Sequence, residues 1–488
     1  MGVASSRERD NSSYELIIKE LVPDIPDELR GFDFPFENLA LEGGGCKTYA
    51  YIGSLKVLEE LGALQKIRRF AGTSGGAVIA CLLAVGYDVK GLIDFFAVDW
   101  RKISSDATCG VAALLPNIIK YFGWHPGRKG RQYIKKHIAK KCDGNGDITF
   151  QELYEKRGVE LCVCVSNVSK MSLEYCHPKT TPDMAIADAI RMSTSLPGFY
   201  QPYKYNKQKK CNIYVDGGMV CNYPVMAYDG WYLSMKHEDA FLHKLSEEEP
   251  PFGEYNDKTI GMLVYATEDA QMLRTDLHER YKGLNLPRPD TPLARKRGAD
   301  CDRQLGLLED RAEMALAARR FWAALQASDV NRDGKITSSE FLKAVKLVPK
   351  EDLMKLFGTS FTTIDEFKAM DENKDGQVTF AEFIHFMDQR GLNFRLTMEG
   401  CDSCRPLTKL SEFARALLDT MAMTISKLFI KPEDVHRTIG VHTDYILTTD
   451  FDMTYEDRQY IVHRSAYAAV AFMKEFFARQ KQEKLSQV

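Results

Sequence analysis

Ser74 has the clearest chemical opportunity in the chain. It stands in Gly72-Thr73-Ser74-Gly75-Gly76, a G-x-S-x-G string with apolar residues on both sides. A serine on a sharp strand-to-helix turn exposes its hydroxyl, and flanking glycines tolerate the strained backbone of such a turn. The following helix directs its partly positive N-terminus at the reacting centre. A second cluster, Gly43-Gly44-Gly45-Cys46-Lys47, also follows an apolar run. Three adjacent glycines leave backbone N–H groups free to converge on one point, as an oxyanion hole requires. A dinucleotide fingerprint would need glycine or alanine where Thr48 stands, and a phosphate loop glycines at Leu41 and Cys46. Asp216, in Asp216-Gly217-Gly218, ends another apolar run, so its carboxylate can approach a neighbouring loop closely. The general base is left open between a carboxylate and a histidine. The chain order Ser, Asp, His would admit His436, His442 or His463.

A different chemistry is written twice further on. Asp329, Asn331, Asp333, Lys335, Thr337 and Glu340 occupy positions one, three, five, seven, nine and twelve of a loop with Gly334 at six. Asp371, Asn373, Asp375, Gln377, Thr379 and Glu382 repeat the pattern around Gly376. Side-chain oxygens at one, three and five, a carbonyl at seven and a bidentate glutamate at twelve are the ligands of an EF-hand calcium loop. Ile336 and Val378 at the eighth positions suit a short β-bridge between paired loops. Asp143, Asn145, Asp147 and Glu152 imitate such a loop, but Lys141 would fall at its first position and repel the ion. A turn before a helix is the expectation there.

Hydropathy places the elements that must position these groups. Residues 38–41 read as a strand, 49–61 as an amphipathic helix, 67–70 as a strand and 77–85 as a buried helix. Strand, helix, strand, helix indicates an α/β core with parallel strands. Further strands are expected at 159–166, 212–215 and 259–265. A Pro-rich polar stretch from 286 reads as a linker, and residues 311–387 as mostly helical. The segment from 407 to 480 returns to helix and strand, so the calcium module reads as an insertion.

The strings Gly43-Gly44-Gly45-Cys46-Lys47, Gly72-Thr73-Ser74-Gly75-Gly76 and Asp216-Gly217-Gly218-Met219-Val220-Cys221-Asn222-Tyr223-Pro224 together resemble the patatin-like phospholipase family. Thr149-Phe150-Gln151-Glu152-Leu153 and the segments 191–202 and 438–453 resemble it too, so the likeness covers roughly 37–281 and 407–473. The resemblance implies a three-layer α/β/α hydrolase core and a Ser-Asp dyad without histidine. Ser74 would then be the nucleophile, Asp216 the base, and Gly43, Gly44, Gly45 and Lys47 the surroundings of the oxyanion. A carboxylate with an ordinary pKa of ~3.9 is a weak base. It would have to be desolvated and hydrogen-bonded to Ser74. The family usually has glycine where Thr48 stands here, a departure that bears on the loop's turn and not on the dyad.

The expected organisation is an N-terminal extension at 1–36, a hydrolase core at 37–285, a linker at 286–310, an EF-hand pair at 311–390 and the remainder of the hydrolase domain at 391–480. The expected function is lipid acyl hydrolysis at a membrane or droplet surface. Calcium in the two loops would be regulatory and not part of the ester chemistry. The alternatives are a catalytically inactive calcium-sensing lipid scaffold and a nucleotide-binding protein using the Gly43 loop. A formal net charge of −3 offers no global attraction to nucleic acid. The N-terminus lacks a secretory h-region, and the longest apolar run, 77–85, is under half of a membrane span. Twelve cysteines, several inside apolar runs, suit buried thiols in a reducing compartment. The expected location is therefore cytoplasmic and peripheral to membranes. Gly2, in Met1-Gly2-Val3-Ala4-Ser5-Ser6, fits an N-myristoylation pattern. One acyl chain anchors marginally, and a second signal is available in Arg128, Lys129, Arg131, Lys135, Lys136, Lys140 and Lys141 beside Tyr121, Phe122 and Trp124. A solvated helix face is the plainer reading of those cations. Cys401-Asp402-Ser403-Cys404 is a lone C-x-x-C without a partner pair.

The two calcium loops should differ in affinity. Asp329, Asp333 and Glu340 against Arg332 and Lys335 give loop one a net charge of −1; Asp371, Glu372, Asp375 and Glu382 against Lys374 give loop two −3. With matched ligand sets, the surrounding field makes the second loop the tighter site. Calorimetry should find the tighter site lost in Glu382→Gln and retained in Glu340→Gln.

Overall fold

The computed structural model describes residues 23–108, 110–207, 210–245, 250–267, 286–329, 333–358, 362–389 and 429–486, with isolated positions between them. Gly2, Asn331, Cys401 and Cys404 lie outside the described residues. The chain forms two compact units. The first draws its described residues from Met1–Ala266, Asp276–Gly298 and Leu407–Val488, the second from Thr267–Thr275 and Ala299–Pro406.

The first unit is an α/β domain. Its opening run is β1 (Asn38–Leu41), α1 (Tyr51–Glu60), β2 (Arg69–Thr73), α2 (Ser74–Ala84) and α3 (Val89–Phe96). Then come α4 (Leu114–Tyr121), β3 (Gly123–His125), α5 (Arg128–Lys141), α6 (Phe150–Arg157), β4 (Glu160–Asn167) and β5 (Ser172–Cys176). They are followed by α7 (Ile186–Ser193), β6 (Gly198–Tyr200), β7 (Tyr203–Lys207), β8 (Lys210–Asp216) and β9 (Thr259–Tyr265). Strands β1 and β9 are buried along their whole length, the pattern of a parallel sheet covered on both faces. Burial of such runs away from water is what holds the layers together.

The main sheet has eight strands and is mixed, not wholly parallel as expected. The parallel part comprises β1, β2, β4 and β9 with a late strand, β12 (Thr438–His442). Strands β5 and β8 run antiparallel to β4, and β7 antiparallel to β8; the connections β4–β5 and β7–β8 are too short for a crossover. The register on β4 matters most. Residues 160–164 of β4 pair with β2, and residues 165–167 pair with β8. Strand β5 pairs with residues 163–167 and so fills the opposite edge. Strands β2 and β8 therefore meet end to end along one edge of β4, with Thr73 opposite Cys164 and Asp216 opposite Val165.

The capping box of α6 settles the loop that imitates a calcium site. Thr149 Oγ1 accepts from the Glu152 amide at 3.2 Å, and Glu152 Oε2 accepts from the Thr149 amide at 2.9 Å. It is a turn before a helix. Residues 286–310, expected as a linker, are largely helical: α8 (Pro292–Ser328) begins at Pro292, whose fixed φ suits a first helical turn. Arg288 clasps Asp444 (2.5 and 2.8 Å), and Thr291 donates to Asp457 at 2.6 Å. Proline marks a helix start as readily as a break, which is why composition alone misplaced this segment.

In the second unit, β10 (Lys335–Thr337) leads into α9 (Ser338–Leu347), α10 (Lys350–Phe357) and α11 (Thr363–Met370), and β11 (Gln377–Thr379) into α12 (Phe380–Gln389). The two strands pair antiparallel with Ile336 opposite Val378. Phe321, Phe341, Phe357, Phe367, Phe383 and Met387 fill its core.

The chain returns to the first unit through β12 and α13 (Tyr455–Ser486). Gly53 on α1 admits the α13 backbone, since a Cβ there would strike the Val462 carbonyl and the Ala466 amide. Ser54 and Ser465 share a hydroxyl–hydroxyl bond of 2.7 Å across that contact. Cys81, Cys142, Cys162, Cys164, Cys176, Cys221 and Cys301 are buried free thiols, so no disulfide framework exists among the described residues.

A buried ion cluster fastens β12 to the rest of the sheet domain. Arg437 donates to both Asp229 oxygens (2.7 and 2.6 Å) and to Asp434 at 2.9 Å, and these opposite charges raise its pKa although burial opposes them. Arg437→Met should strand two buried carboxylates and cost about 3–5 kcal/mol. Urea denaturation followed by fluorescence measures this, and the loss should far exceed that from Lys258→Met, which breaks only the exposed pair with Glu37 (2.7 Å).

Candidate active site

Strand β2 ends at Thr73, and Ser74 opens α2 with φ 51°, a left-handed conformation that costs energy for a residue with a side chain. The glycines beside it let the turn close. A Cβ at Gly76 would lie 2.5 Å from the Leu41 and Glu42 carbonyl oxygens, and one at Gly72 would sit 2.7 Å from the Ala77 backbone. The Ser74 amide donates to Ser193 Oγ at 2.8 Å, and that hydroxyl donates to the Cys164 carbonyl at 2.7 Å. Thr73 Oγ1 donates to the Cys221 carbonyl at 2.9 Å. The turn is thus held from β4, α7 and the loop after β8.

Asp216 lies across the junction. Ser74 Oγ donates to Asp216 Oδ2 at 2.7 Å, and the Gly218 amide donates to Oδ1 at 2.8 Å. The Asp216 backbone is held as well, its amide donating to the Ser195 carbonyl (3.0 Å) and its carbonyl accepting from Ser166 Oγ (2.9 Å). The carboxylate is buried while Ser74 is half-exposed. Burial pushes the Asp216 pKa up to about 6, against the lowering influence of its bonds from Ser74 and Gly218.

The glycine loop sits on the same side. Gly43 differs from expectation: its amide donates to the Asn222 carbonyl at 3.0 Å and is consumed by packing against the loop after Asp216. The Gly44 and Gly45 amides have no acceptor among the described residues. Lys47 is buried, and its amide bonds the Gly44 carbonyl at 3.0 Å. Thr48, in place of the usual glycine, turns its hydroxyl back onto the Gly45 carbonyl at 2.7 Å and so fits the loop.

The three candidate histidines stand elsewhere. His442 is buried against Arg464, whose guanidinium donates to its Nδ1 at 2.9 Å. His436 is exposed, and His463 lies against Tyr467 with ring centroids 4.9 Å apart and its pKa lowered by burial. Among the described residues, none of them bonds Ser74 or Asp216.

Several supporting groups escaped sequence reasoning. Glu42 and Asn222 tie the two loops: Asn222 Nδ2 donates to Glu42 Oε1 (3.1 Å) and to the Gly43 carbonyl (3.0 Å), and Glu42 Oε2 accepts from the Val264 amide at 2.9 Å. Buried Arg191 bonds Ser195 Oγ and the carbonyls of Pro126 (2.7 Å) and Gln201 (2.9 Å). Ser193 and Arg191 lie in the 191–202 string and Asn222 in the Asp-Gly-Gly string, so their neighbourhood was visible. Their partners were not.

In the calcium-type loops, Asp371 accepts from the Asp375 and Gly376 amides at 3.1 and 2.9 Å, and Asp329 Oδ2 from the Gly334 amide at 3.1 Å. Glu340 and Glu382 each accept from the threonine three residues earlier at 2.7 Å. Among the described residues, no three carboxylate, histidine or cysteine side chains are gathered on one point. The residues nonetheless fit a hard cation: the donors are oxygens, and Asp329 Oδ1 is buried without a hydrogen-bond partner.

Residues 39–229 match the model of the patatin-like phospholipase family, and residues 319–388 that of the EF-hand domain pair. The chain thus carries a patatin-like phospholipase domain and an EF-hand pair. It is similar to "Probable lipid hydrolase 463L" of Invertebrate iridescent virus 6, 29% identical over 39% of this chain and 62% of that protein. It is 31% identical to "Uncharacterized protein YqhO" of Bacillus subtilis over 38% of this chain and 64% of that one. "Triacylglycerol lipase 4" of Saccharomyces cerevisiae is 29% identical over 33% of this chain and 18% of its own. The chain thus spans less than two thirds of the length of these relatives. Among solved structures, VipD from Legionella pneumophila aligns over 90% of this chain and 67% of its own at 14% identity, with a TM-score of 0.37, too low to bear on fold or function.

The raised pKa of Asp216 has a direct consequence for Ser74. A carboxyl titrating at about 6 is ionised, and so able to accept a proton, only above that pH. Labelling of Ser74 by a fluorophosphonate should hold steady above neutrality and fall about tenfold for each pH unit below about 6, as read by mass spectrometry.

Proposed function

We propose that the chain hydrolyses acyl ester bonds of lipids through a Ser74–Asp216 dyad. The observation that carries this is the 2.7 Å bond from Ser74 Oγ to a buried carboxylate. Asp216 takes the hydroxyl proton as Ser74 Oγ attacks the ester carbonyl carbon. The amides of Gly44 and Gly45 receive the oxyanion, with Gly43 as part of the loop's frame and Lys47 beneath it. Collapse of the tetrahedral intermediate breaks the bond to the alcohol, which takes the proton from Asp216 and leaves an acyl-Ser74. Water then attacks, Asp216 again accepts a proton, and the fatty acid departs as Ser74 recovers its own. A base with a pKa of about 6 suits this better than an ordinary carboxylate would, and burial is what supplies the difference.

The EF-hand pair serves regulation in this reading. Asp329, Asn331, Asp333, Thr337 and Glu340, with the Lys335 carbonyl, would hold one calcium ion; Asp371, Asn373, Asp375, Thr379 and Glu382, with the Gln377 carbonyl, would hold the other. Each ion would order its loop and supply nothing to the ester chemistry. The unit interrupts the catalytic one in the chain, so ordering it acts on both of its connections. The substrate lies at a membrane or droplet surface.

Ser74→Ala and Asp216→Asn should each reduce hydrolysis of a soluble ester by about three orders of magnitude or more while the melting temperature stays within a few degrees. His436→Ala, His442→Ala and His463→Ala should retain activity. Full activity in Asp216→Asn, with loss in one histidine variant, would replace the dyad by a triad. A wild type inactive on phospholipid, monoacyl and triacyl esters would leave a lipid-binding scaffold.

A further inference from the structure

Helix α4 is an exception to the burial pattern of the domain. Its eight residues include none that is buried. Leu115 and Ile119 are 67% and 71% exposed, Val111 one turn earlier 73%, and Ile118 and Phe122 stand beside them at 38% and 61%. Positions 111, 115 and 119 follow the i, i+4 spacing of one helix face. A soluble surface rarely gathers so many large aliphatic groups on one turn of chain without a partner.

The segment is built to stand there. Asn117 Nδ2 donates to the Trp124 carbonyl at 2.9 Å, and Trp124 Nε1 donates to the Gly110 carbonyl at 3.0 Å, which folds 110–124 back on itself. Strand β3 at its end pairs with β6, placing Gly123 opposite Gly198 and His125 opposite Tyr200. Strand β6 begins three residues after Ser195, whose carbonyl holds the Asp216 amide at 3.0 Å. The apolar helix is therefore anchored to the same strip of chain that positions the base.

Charge identifies the partner. Residues 107–142 contain eight lysines and arginines and no aspartate or glutamate. Arg131 and Lys135 are neutralised from outside by Asp188 and Asp147. Among the described residues, Lys120, Arg128, Lys136 and Lys140 have no carboxylate partner. A second copy of the chain docking symmetrically would bring the same cations together, whereas an anionic bilayer offers both acyl chains for the aliphatic face and phosphates or carboxylates for the rim. Tyr121 and Trp124 are the residue types that settle at the headgroup level.

We propose that residues 111–122 insert into the surface of anionic phospholipid bilayers, with the α5 cations supplying the electrostatic attraction. This rests on the reading of the chain as a lipid hydrolase but is tested apart from it. Binding is scored with the full-length Ser74→Ala chain in chelator, by co-sedimentation with phosphatidylcholine vesicles with or without phosphatidylserine, so that it does not depend on hydrolysis. The chain should bind the anionic vesicles selectively, and added salt should weaken that binding. Leu115→Ser with Ile119→Ser should lower the affinity about tenfold or more without changing the melting temperature. Arg128→Gln with Lys136→Gln should remove much of the salt dependence. Equal binding to neutral vesicles, or undiminished binding by the aliphatic double variant, overturns the proposal. So does a dimer in light scattering that the same variant dissociates while vesicles go unbound, since the face would then belong to a second copy.

Discussion

Two strands sharing one edge of β4 is the constraint on which the site depends. A strand normally offers each edge to a single neighbour, but here β2 stops at Thr73 and β8 arrives antiparallel to stop at Asp216, on consecutive residues of the same β4 edge. Hydrogen bonding of β4 to both fixes the spacing between the two strand ends. Ser74 and Asp216 are the first side chains that can reach across the junction, which makes their 2.7 Å contact a product of sheet register. The β4 carbonyl at Cys164 is turned to use as well, accepting from Ser193, which in turn holds the Ser74 amide.

The arrangement has an energetic cost. An aspartate whose pKa is raised from 3.8 to about 6 is harder to ionise in the folded chain than in the unfolded one. Its contribution to stability is complete below the ordinary value and declines as pH rises to about 6, by roughly 3 kcal/mol. The bonds from Ser74 and Gly218 limit this loss and do not cancel it. A left-handed Ser74 adds further strain. Both costs are borne by the packed sheet around them and by part-buried ties such as Asn222 to Glu42, which join the glycine loop to the loop that follows Asp216.

What was legible in the sequence was whatever is local. The G-x-S-x-G turn, the glycine run, the strands at 38–41 and 259–265 and both EF-hand loops are each written in contiguous residues, so periodicity and spacing find them. The antiparallel edge of the sheet was not legible, because pairing partners such as Tyr203 and Tyr214 carry no mark of direction. Nor was the loss of the Gly43 amide to Asn222, a contact between loops 179 residues apart that no local pattern encodes. The 286–310 segment shows the same limit from the other side. Its prolines and charges read as solvent-facing linker, yet Arg288, Thr291 and Arg297 spend their polar groups on Asp444, Asp457 and Asp450.

The position of β12 has a consequence for how the protein is made. It is an edge strand of the main sheet, pairing β9 from Thr438 opposite Gly261 to His442 opposite Tyr265, and α13 after it covers the Gly53–Ser54 face of α1. During synthesis, β9 leaves the ribosome well before β12 and must wait, with unpaired backbone donors and acceptors, while the whole EF-hand unit is translated. Such long-range pairings are slow to form because much chain must be closed into a loop first. The chain between β9 and β12 includes the EF-hand pair, which has a core of its own around Phe321, Phe341 and Phe383.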